Sequence, residues 1–210
     1  MQKYRLIAAT GLVAGLGLAT AACGSSASST AAAPASSSSS PMASSSAATA
    51  AKDFGPGCAS VPASGAGSFT GMATAPVATA ASANPLLSTL VTAVKKAGLV
   101  DTLNSAANIT VFAPDNAAFA KLPKATLAKV LGDKAELTKI LTYHVTSGRQ
   151  TPSELASGMA IKTLEGGMVT PGMMSAGMYT VNKANIVCGN VQTANATVYI
   201  IDTVLTPPAK

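Results

Sequence analysis

Ile109-Thr110-Val111-Phe112-Ala113-Pro114-Asp115-Asn116-Ala117-Ala118-Phe119 is the stretch on which the reading of this 210-residue chain turns. Its first five residues are β-branched or aromatic at four positions, a composition that suits a pleated, packed strand. Pro114 stops the strand, because it has no amide to donate to a ladder. Asp115 then stands where a side-chain carboxylate can cap a turn of helix that buries Phe119. Upstream, Asn84-Pro85 followed by Leu86, Leu87, Leu90, Val91 and Val94 predicts an amphipathic helix with an N-cap and a proline at its first position. Gly98 is its C′ residue, and Leu99, Val100 and Leu103 predict a short second turn. Downstream, Leu127, Val130 and Leu131 predict a short helix ending at Gly132. Asp133 with Glu136 forms a capping pair that opens a helix through Leu137, Ile140 and Leu141 to Tyr143-His144. From Ile161 the pattern changes to short apolar stretches (161–165, 168–170, 178–182, 185–188 and 196–205) separated by Gly, Pro and Asn, which read as strands and hairpins around a Pro171-Gly172 turn. Helices first and strands second make an α+β arrangement.

The segment before this domain is of a different kind. Lys3 and Arg5, an apolar run from Leu6 to about Leu18, and Ala19-Thr20-Ala21-Ala22 describe a secretory signal over residues 1–22. The alternative, a membrane-spanning anchor, is disfavoured by the Gly and Ala content of the run and its cleavage-like end. Small residues before Cys23, with Gly24 and Ser25 after it, resemble the lipobox of bacterial lipoproteins, although Thr20 stands where that pattern usually has Leu. The resemblance implies that Cys23 is diacylated and becomes the new N-terminus. Ordinary cleavage near Ala21 or Ala22 would instead release a soluble protein. Residues 24–51 contain 12 Ser and 10 Ala and no charge, so they cannot bury enough surface to offset their ordering entropy. They read as a flexible stalk spanning on the order of 30 Å, a Ser/Thr-rich composition that also suits O-linked sugar. The folded domain then occupies residues 52–210.

Composition excludes several functions. Lys and Arg number 14 against 8 Asp and Glu, a formal +6. Loss of Lys3 and Arg5 with the signal leaves a mild, dispersed surplus without the clustering that nucleic acid requires. There is no Trp, with four Phe and four Tyr, so stacking platforms for bases are not expected. One His and three Cys leave little for a zinc site of the usual ligand count. No cofactor is expected. If Cys23 carries lipid, Cys58 and Cys188 remain as one pair in an oxidising compartment. A bridge between them would close a long loop and stabilise the fold by about 5 kcal/mol in the chain-entropy model. The alternative, two working thiols, lacks a nearby partner in the sequence.

Three stretches carry a family resemblance. Thr110 to Phe119 resembles the first signature block of fasciclin domains. Leu141-Thr142-Tyr143-His144-Val145 is similar to that family's central Tyr-His motif, and Ala196-Thr197-Val198-Tyr199-Ile200-Ile201-Asp202-Thr203-Val204-Leu205-Thr206-Pro207 to its second block. The blocks fall in order within residues 73–208. The likeness is greatest to the secreted and lipid-anchored fasciclin antigens of mycobacteria and related actinobacteria. There it extends to Gly55-Pro56-Gly57-Cys58 and Ile186-Val187-Cys188-Gly189, the bridged pair of those proteins. The resemblance implies a β-wedge of two small sheets packed against a layer of helices, with one disulfide. It also implies a place for Tyr143-His144 in the fold or in adhesion, since the matching region of animal fasciclin domains is implicated in integrin-mediated adhesion.

The candidate functional residues are few. His144 could act as a base only with a nucleophile and an orienting acid; Asp115 and Asp202 are the acids of the recognisable blocks. The plainer reading has Asp115 capping a helix, Asp202 supporting a strand, and a neutral, hydrogen-bonded His144 holding helix against sheet. Met159, Met168, Met173, Met174 and Met178 crowd into 20 residues. Clustered thioethers suit Cu(I) or an adaptable apolar binding surface, and also serve in an ordinary hairpin; no metal is expected. Asn108-Ile109-Thr110 and Asn195-Ala196-Thr197 match the N-glycosylation pattern incidentally. The function expected is a non-enzymatic surface adhesion module. It would be monomeric, held by lipid to the outer face of the membrane with part of it released, and would engage a protein or envelope-polymer partner. An envelope carrier of a small apolar or lipid ligand, and an exported hydrolase using His144 with a Ser, are the alternatives.

Overall fold

The computed structural model describes residues 52–174 and 177–208. The expectations for the export signal, Cys23 and the Ser/Ala stalk fall on residues outside these. The helical half begins with two elements that have no strong periodic signal: α1, Phe69–Ala73, capped by the Ser68 hydroxyl, and α2, Val77–Ala83. Asn84 caps as its sequence suggests, but the turn it opens, Pro85–Leu87, is a 3-10 turn with Asn84 Oδ1 accepting from the Leu86 amide. That turn leads into α3, Ser88–Ala97. Leu90, Ala93, Val94 and Ala97 form the buried stripe of α3, the i, i+3, i+4, i+7 spacing of one helix face. Gly98 closes it at φ 74°, a left-handed conformation that favours glycine. Leu90→Ala would cost about 2–5 kcal/mol by leaving a cavity there. The short turn that follows is α4, Val100–Ser105.

β1, Ile109–Pro114, is buried along its whole length. The Asp115 carboxylate then accepts from the Ala118 amide at 2.6 Å and opens α5, Asn116–Ala120, which buries Phe119. α6 is Lys124–Gly132 and α7 Lys134–Tyr143. The Asp133 side chain caps α7 through the amides of Ala135 and Glu136. A reciprocal capping box forms elsewhere, at Thr151 and Glu154. It opens α8, Pro152–Ala156, just after β2, Val145–Ser147. The strands of the second half are β3 (Ile161–Lys162), β4 (Met168–Val169), β5 (Pro171–Met173), β6 (Tyr179–Val181), β7 (Ala184–Gln192) and β8 (Ala196–Ile201). Pro171-Gly172, expected as a turn, lies in β5 and pairs with β6. Pro171 is the first residue of that strand, where a missing amide is tolerated.

Six strands form one curled sheet in the order β2-β1-β8-β7-β6-β5, and β3-β4 form a separate ribbon. The nine-residue β7 belongs to both arms of the wedge: its start pairs with β6 and the rest with β8, across two register shifts between Ile186 and Val191. Bulges of this kind bend a strand and increase its twist. β1 and β8, 87 positions apart in register, run parallel in the centre. Both are buried on both faces, as parallel pairs generally are. Val111, Ala113, Val198 and Ile200 face the helical core. Phe112, Tyr199 and Ile201 alternate to the other side, against Leu155, Val169 and Val181. The leading segment docks on β7: Phe54 exchanges backbone hydrogen bonds with Gly189, and Cys58 and Cys188 are joined in a disulfide. A β-carbon on Gly189 would run into the Phe54 ring, so only glycine lets the segment approach so closely.

Candidate functional site

His144 is the residue after α7, where the helix meets β2. Its backbone carbonyl accepts from the Phe112 amide at 2.8 Å, which continues the β1 ladder. Its ring is 2% exposed. Nδ1 lies 2.8 Å from the Ile140 carbonyl, and the Leu205 amide reaches Nε2 at 2.9 Å. A backbone amide can only donate, so Nε2 must accept and the ring proton sits on Nδ1. The ring is therefore neutral. Burial lowers its pKa to about 4, against a smaller opposing effect of the Ile140 carbonyl, which favours the charged form. Neither nitrogen is left to take a proton from a nucleophile. The ring joins the end of α7 to the chain leaving β8. Tyr143 makes the matching tie on the other side: its hydroxyl donates to the Met168 carbonyl at 2.8 Å and accepts from Asn182 Nδ2 at 3.3 Å.

Asp115 and Asp202 follow the neighbouring ends of β1 and β8, and the Asp115 amide donates to the Ile201 carbonyl. They are close in the fold but carry separate tasks. Asp115 caps α5. Asp202 accepts from the Asn185 amide at 2.9 Å and the Asn185 side chain at 3.0 Å, and pairs with Lys121 at 3.0 Å. Partial burial raises its pKa, but the hydrogen bonds from Asn185, Lys121 and Thr203 outweigh this and hold the carboxyl at about 2. Asp202 thus pins the start of β7 and the residue that ends α5 to the end of β8. Neither acid contacts the His144 ring.

Two residues outside the functional candidates tie parts of the domain together: Asn195 joins helices to the sheet, and Arg149 joins the segment after β2 to the β7–β8 turn. Asn195 accepts from the Val77 amide at 2.8 Å, and its side-chain amide donates to the carbonyls of Leu103, Asn104 and Ala106. Its Asn-x-Thr triplet matches the glycosylation pattern incidentally, and the side chain is engaged internally. Arg149, the lone arginine after Arg5, places its guanidinium on Gln192 Oε1 and on the carbonyls of Thr193, Ala194 and Ala196. Its isolation in a lysine-dominated sequence was the available signal.

The methionines behave differently. Met159, Met168, Met173, Met174 and Met178, with Leu164, are the large apolar side chains exposed among the described residues, at 47–69%. All lie on the β3–β4 ribbon and the β5–β6 arm or beside them, and the Met174 amide donates to the Met178 carbonyl at 2.7 Å. They are not replacing Val or Leu in a core.

A family model described as the fasciclin domain matches residues 85–207. The chain belongs to the fasciclin family. This fasciclin chain is 50% identical over 169 residues to the cell surface glycolipoprotein MPT83 of Mycobacterium tuberculosis, a match covering 77% of this chain and 75% of that protein. It is 47% identical over 163 residues to the immunogenic protein MPB70 of Mycobacterium bovis, covering 74% and 82%. Protein sll1483 of Synechocystis is 42% identical over 130 residues, covering 61% and 71%. Among solved structures, the FAS1 domain pair of the insect cell adhesion molecule Fasciclin I superposes with a TM-score of 0.56 at 20% identity. That match covers 65% of this chain and 52% of that one, so the chain spans about half of the pair. At that identity the likeness is one of fold.

Proposed function

We propose that this chain is a non-enzymatic cell-surface lipoprotein that presents a single fasciclin domain to a protein partner outside the cell. The observation that carries the reading is the half-identical relative MPT83, a cell surface glycolipoprotein matched over three quarters of its length. In this reading residues 1–22 are removed, Cys23 is diacylated, residues 23–51 are the stalk, and residues 52–210 are displayed. Both His144 ring nitrogens and both Asp202 carboxylate oxygens are engaged within the domain, and Asp115 caps α5, so this reading puts the binding face elsewhere. The exposed Met and Leu side chains of residues 159–178 supply it. Thioethers on flexible unbranched stems adapt to an apolar protein surface.

Two experiments test this. Metabolic labelling with a fatty acid should tag the chain through Cys23, and Cys23→Ser should shed it into the medium. Unlabelled protein found wholly in the medium would reverse the anchoring. Capture of a saturable extracellular protein partner should survive changing Met168, Met173, Met174 and Met178 to Leu, which is similar in volume, and be lost on changing them to Glu. Equal capture by the Glu variant would remove the face from the reading. Turnover of esters or glycosides, lost in a folded His144→Ala variant, would replace the binding class with a hydrolase.

A further inference from the structure

The helices α2, α3 and α4 do not close over the sheet. Between α2, α3, α4 and the sheet face carrying Val111, Val191 and Val198 lies a cavity of ≈ 150 Å³. Val91 and Val94 of α3 and Leu99, Val100 and Leu103 in and before α4 line it. All of these except Val94 are only half-buried, although they belong to the apolar faces of their helices.

The polar side chains in the inner wall are engaged elsewhere. Asn84 accepts from the Leu86 amide, Thr142 donates to the Thr138 carbonyl, Thr193 donates to the Ala196 carbonyl, and both His144 ring nitrogens are engaged. An ordered water needs two to four polar partners, which the inner wall does not offer, and a closed apolar cavity of about this volume takes benzene or xenon in another protein. The rim is different in kind. Thr79, Ser82, Thr102 and Lys95 stand there, exposed. Lys95 is the one charged residue in the lining, and it forms no ion pair among the described residues.

We propose that this cavity binds the hydrocarbon end of a medium-chain fatty acid, with the carboxylate at the rim against Lys95. The apolar interior selects the chain, the cavity volume limits how much of it enters, and the uncompensated ammonium selects an anionic head. The proposal stands independently of the surface-display reading. Each methylene added while the cavity fills should tighten binding roughly four-fold, and the gain should stop once the interior is full.

The test titrates the full chain with a series of straight-chain carboxylates from butanoate to decanoate, and with benzene, followed by methyl NMR. Octanoate should shift the methyls of Val91, Val94 and Leu103 saturably and leave those of Met168, Met173, Met174 and Met178 in place. Lys95→Gln should weaken octanoate roughly two- to five-fold, the scale of an exposed ion pair, and leave benzene unchanged. Val91→Phe, which narrows the cavity from a half-buried position, should abolish both. Should that variant fail to fold, the chain-length series and Lys95→Gln decide alone. Shifts confined to the methionine methyls, benzene binding without octanoate binding, or octanoate affinity indifferent to both chain length and Lys95 would each overturn the proposal.

Discussion

Mild acid should weaken this domain through one side chain. His144 titrates at 6.5 when exposed and at about 4 in the fold, because burial disfavours its charged form. Above pH 6.5 the ring is neutral in both states and contributes nothing to pH dependence. Between 6.5 and about 4 the unfolded chain takes a proton that the folded chain does not, so stability falls as pH falls. Below about 4 both forms are protonated and the loss is complete. That gap corresponds to about 3 kcal/mol, a large part of the 5–15 kcal/mol typical of a domain. His144 is the chain's one histidine, so no other imidazole shares the window. Asp202 acts lower: the stability from its depressed pKa is present above 3.8 and is lost as pH falls toward 2. Asp53, raised by burial, works in the opposite sense, since its folded form takes up a proton first, and it offsets a little of the loss near the lower end.

The assay is urea unfolding at several pH values between 7 and 4.5, with the slope m checked for constancy, beside NMR of the His144 ring in the folded chain. The midpoint should fall steadily below pH 6.5, and the ring should stay neutral to near pH 4. His144→Gln should start lower, by about 1–3 kcal/mol if the Leu205 amide is left unpaired, and should then show little pH dependence across the same window. A folded-state ring that titrates near 6.5, or an equal slope in the variant, would refute the assignment of the neutral ring as the source.

Cys58→Ser and Cys188→Ser should each cost a similar 2–5 kcal/mol, with Cys58 joined to Cys188 in non-reduced peptide maps; two free thiols in protein taken from its envelope would contradict the bridge. Thr146 is fully buried, and its hydroxyl finds no hydrogen-bond partner among the described residues, so Thr146→Val should stabilise the domain by about 1 kcal/mol, read as a raised urea midpoint. Asn195→Asp keeps the acceptor for Val77 but removes the donors to three carbonyls, and should cost at least about 2 kcal/mol; a neutral result would mean that this node does not hold α2 and α4 to the sheet.

The parts of the fold legible in the sequence are those whose cause is local. Asp115, Asn84, Asp133 and Gly98 act on amides or carbonyls within four residues, and the alternation of strand and turn residues after Ile161 needs no distant partner. The parallel pairing of β1 with β8 was hidden because its register joins Val111 to Val198, and nothing in either run specifies the other. Short elements with a weak apolar pattern, α1, α2 and α8, escaped for a different reason: they are held by tertiary packing and by single capping residues such as Ser68 and Thr151. Pro171 misled because proline marks both a turn and the first residue of a strand.

For the candidate site the same distinction has a chemical consequence. A sequence displays reactive residue types without showing which of their atoms are already engaged. His144 is a residue type that can act as a base, but the Leu205 amide already donates to Nε2; Asn195 matches a glycosylation pattern incidentally, and its amide is already on the Leu103 and Ala106 carbonyls. The recognisable blocks therefore hold polar residues whose bonds are internal. The proposed ligand surfaces are built from residues that a motif search ignores: exposed methionines on one arm of the wedge, and valines and leucines around a cavity whose single charge is Lys95. In this domain the motifs secure the scaffold, and on the proposed readings specificity is written between them.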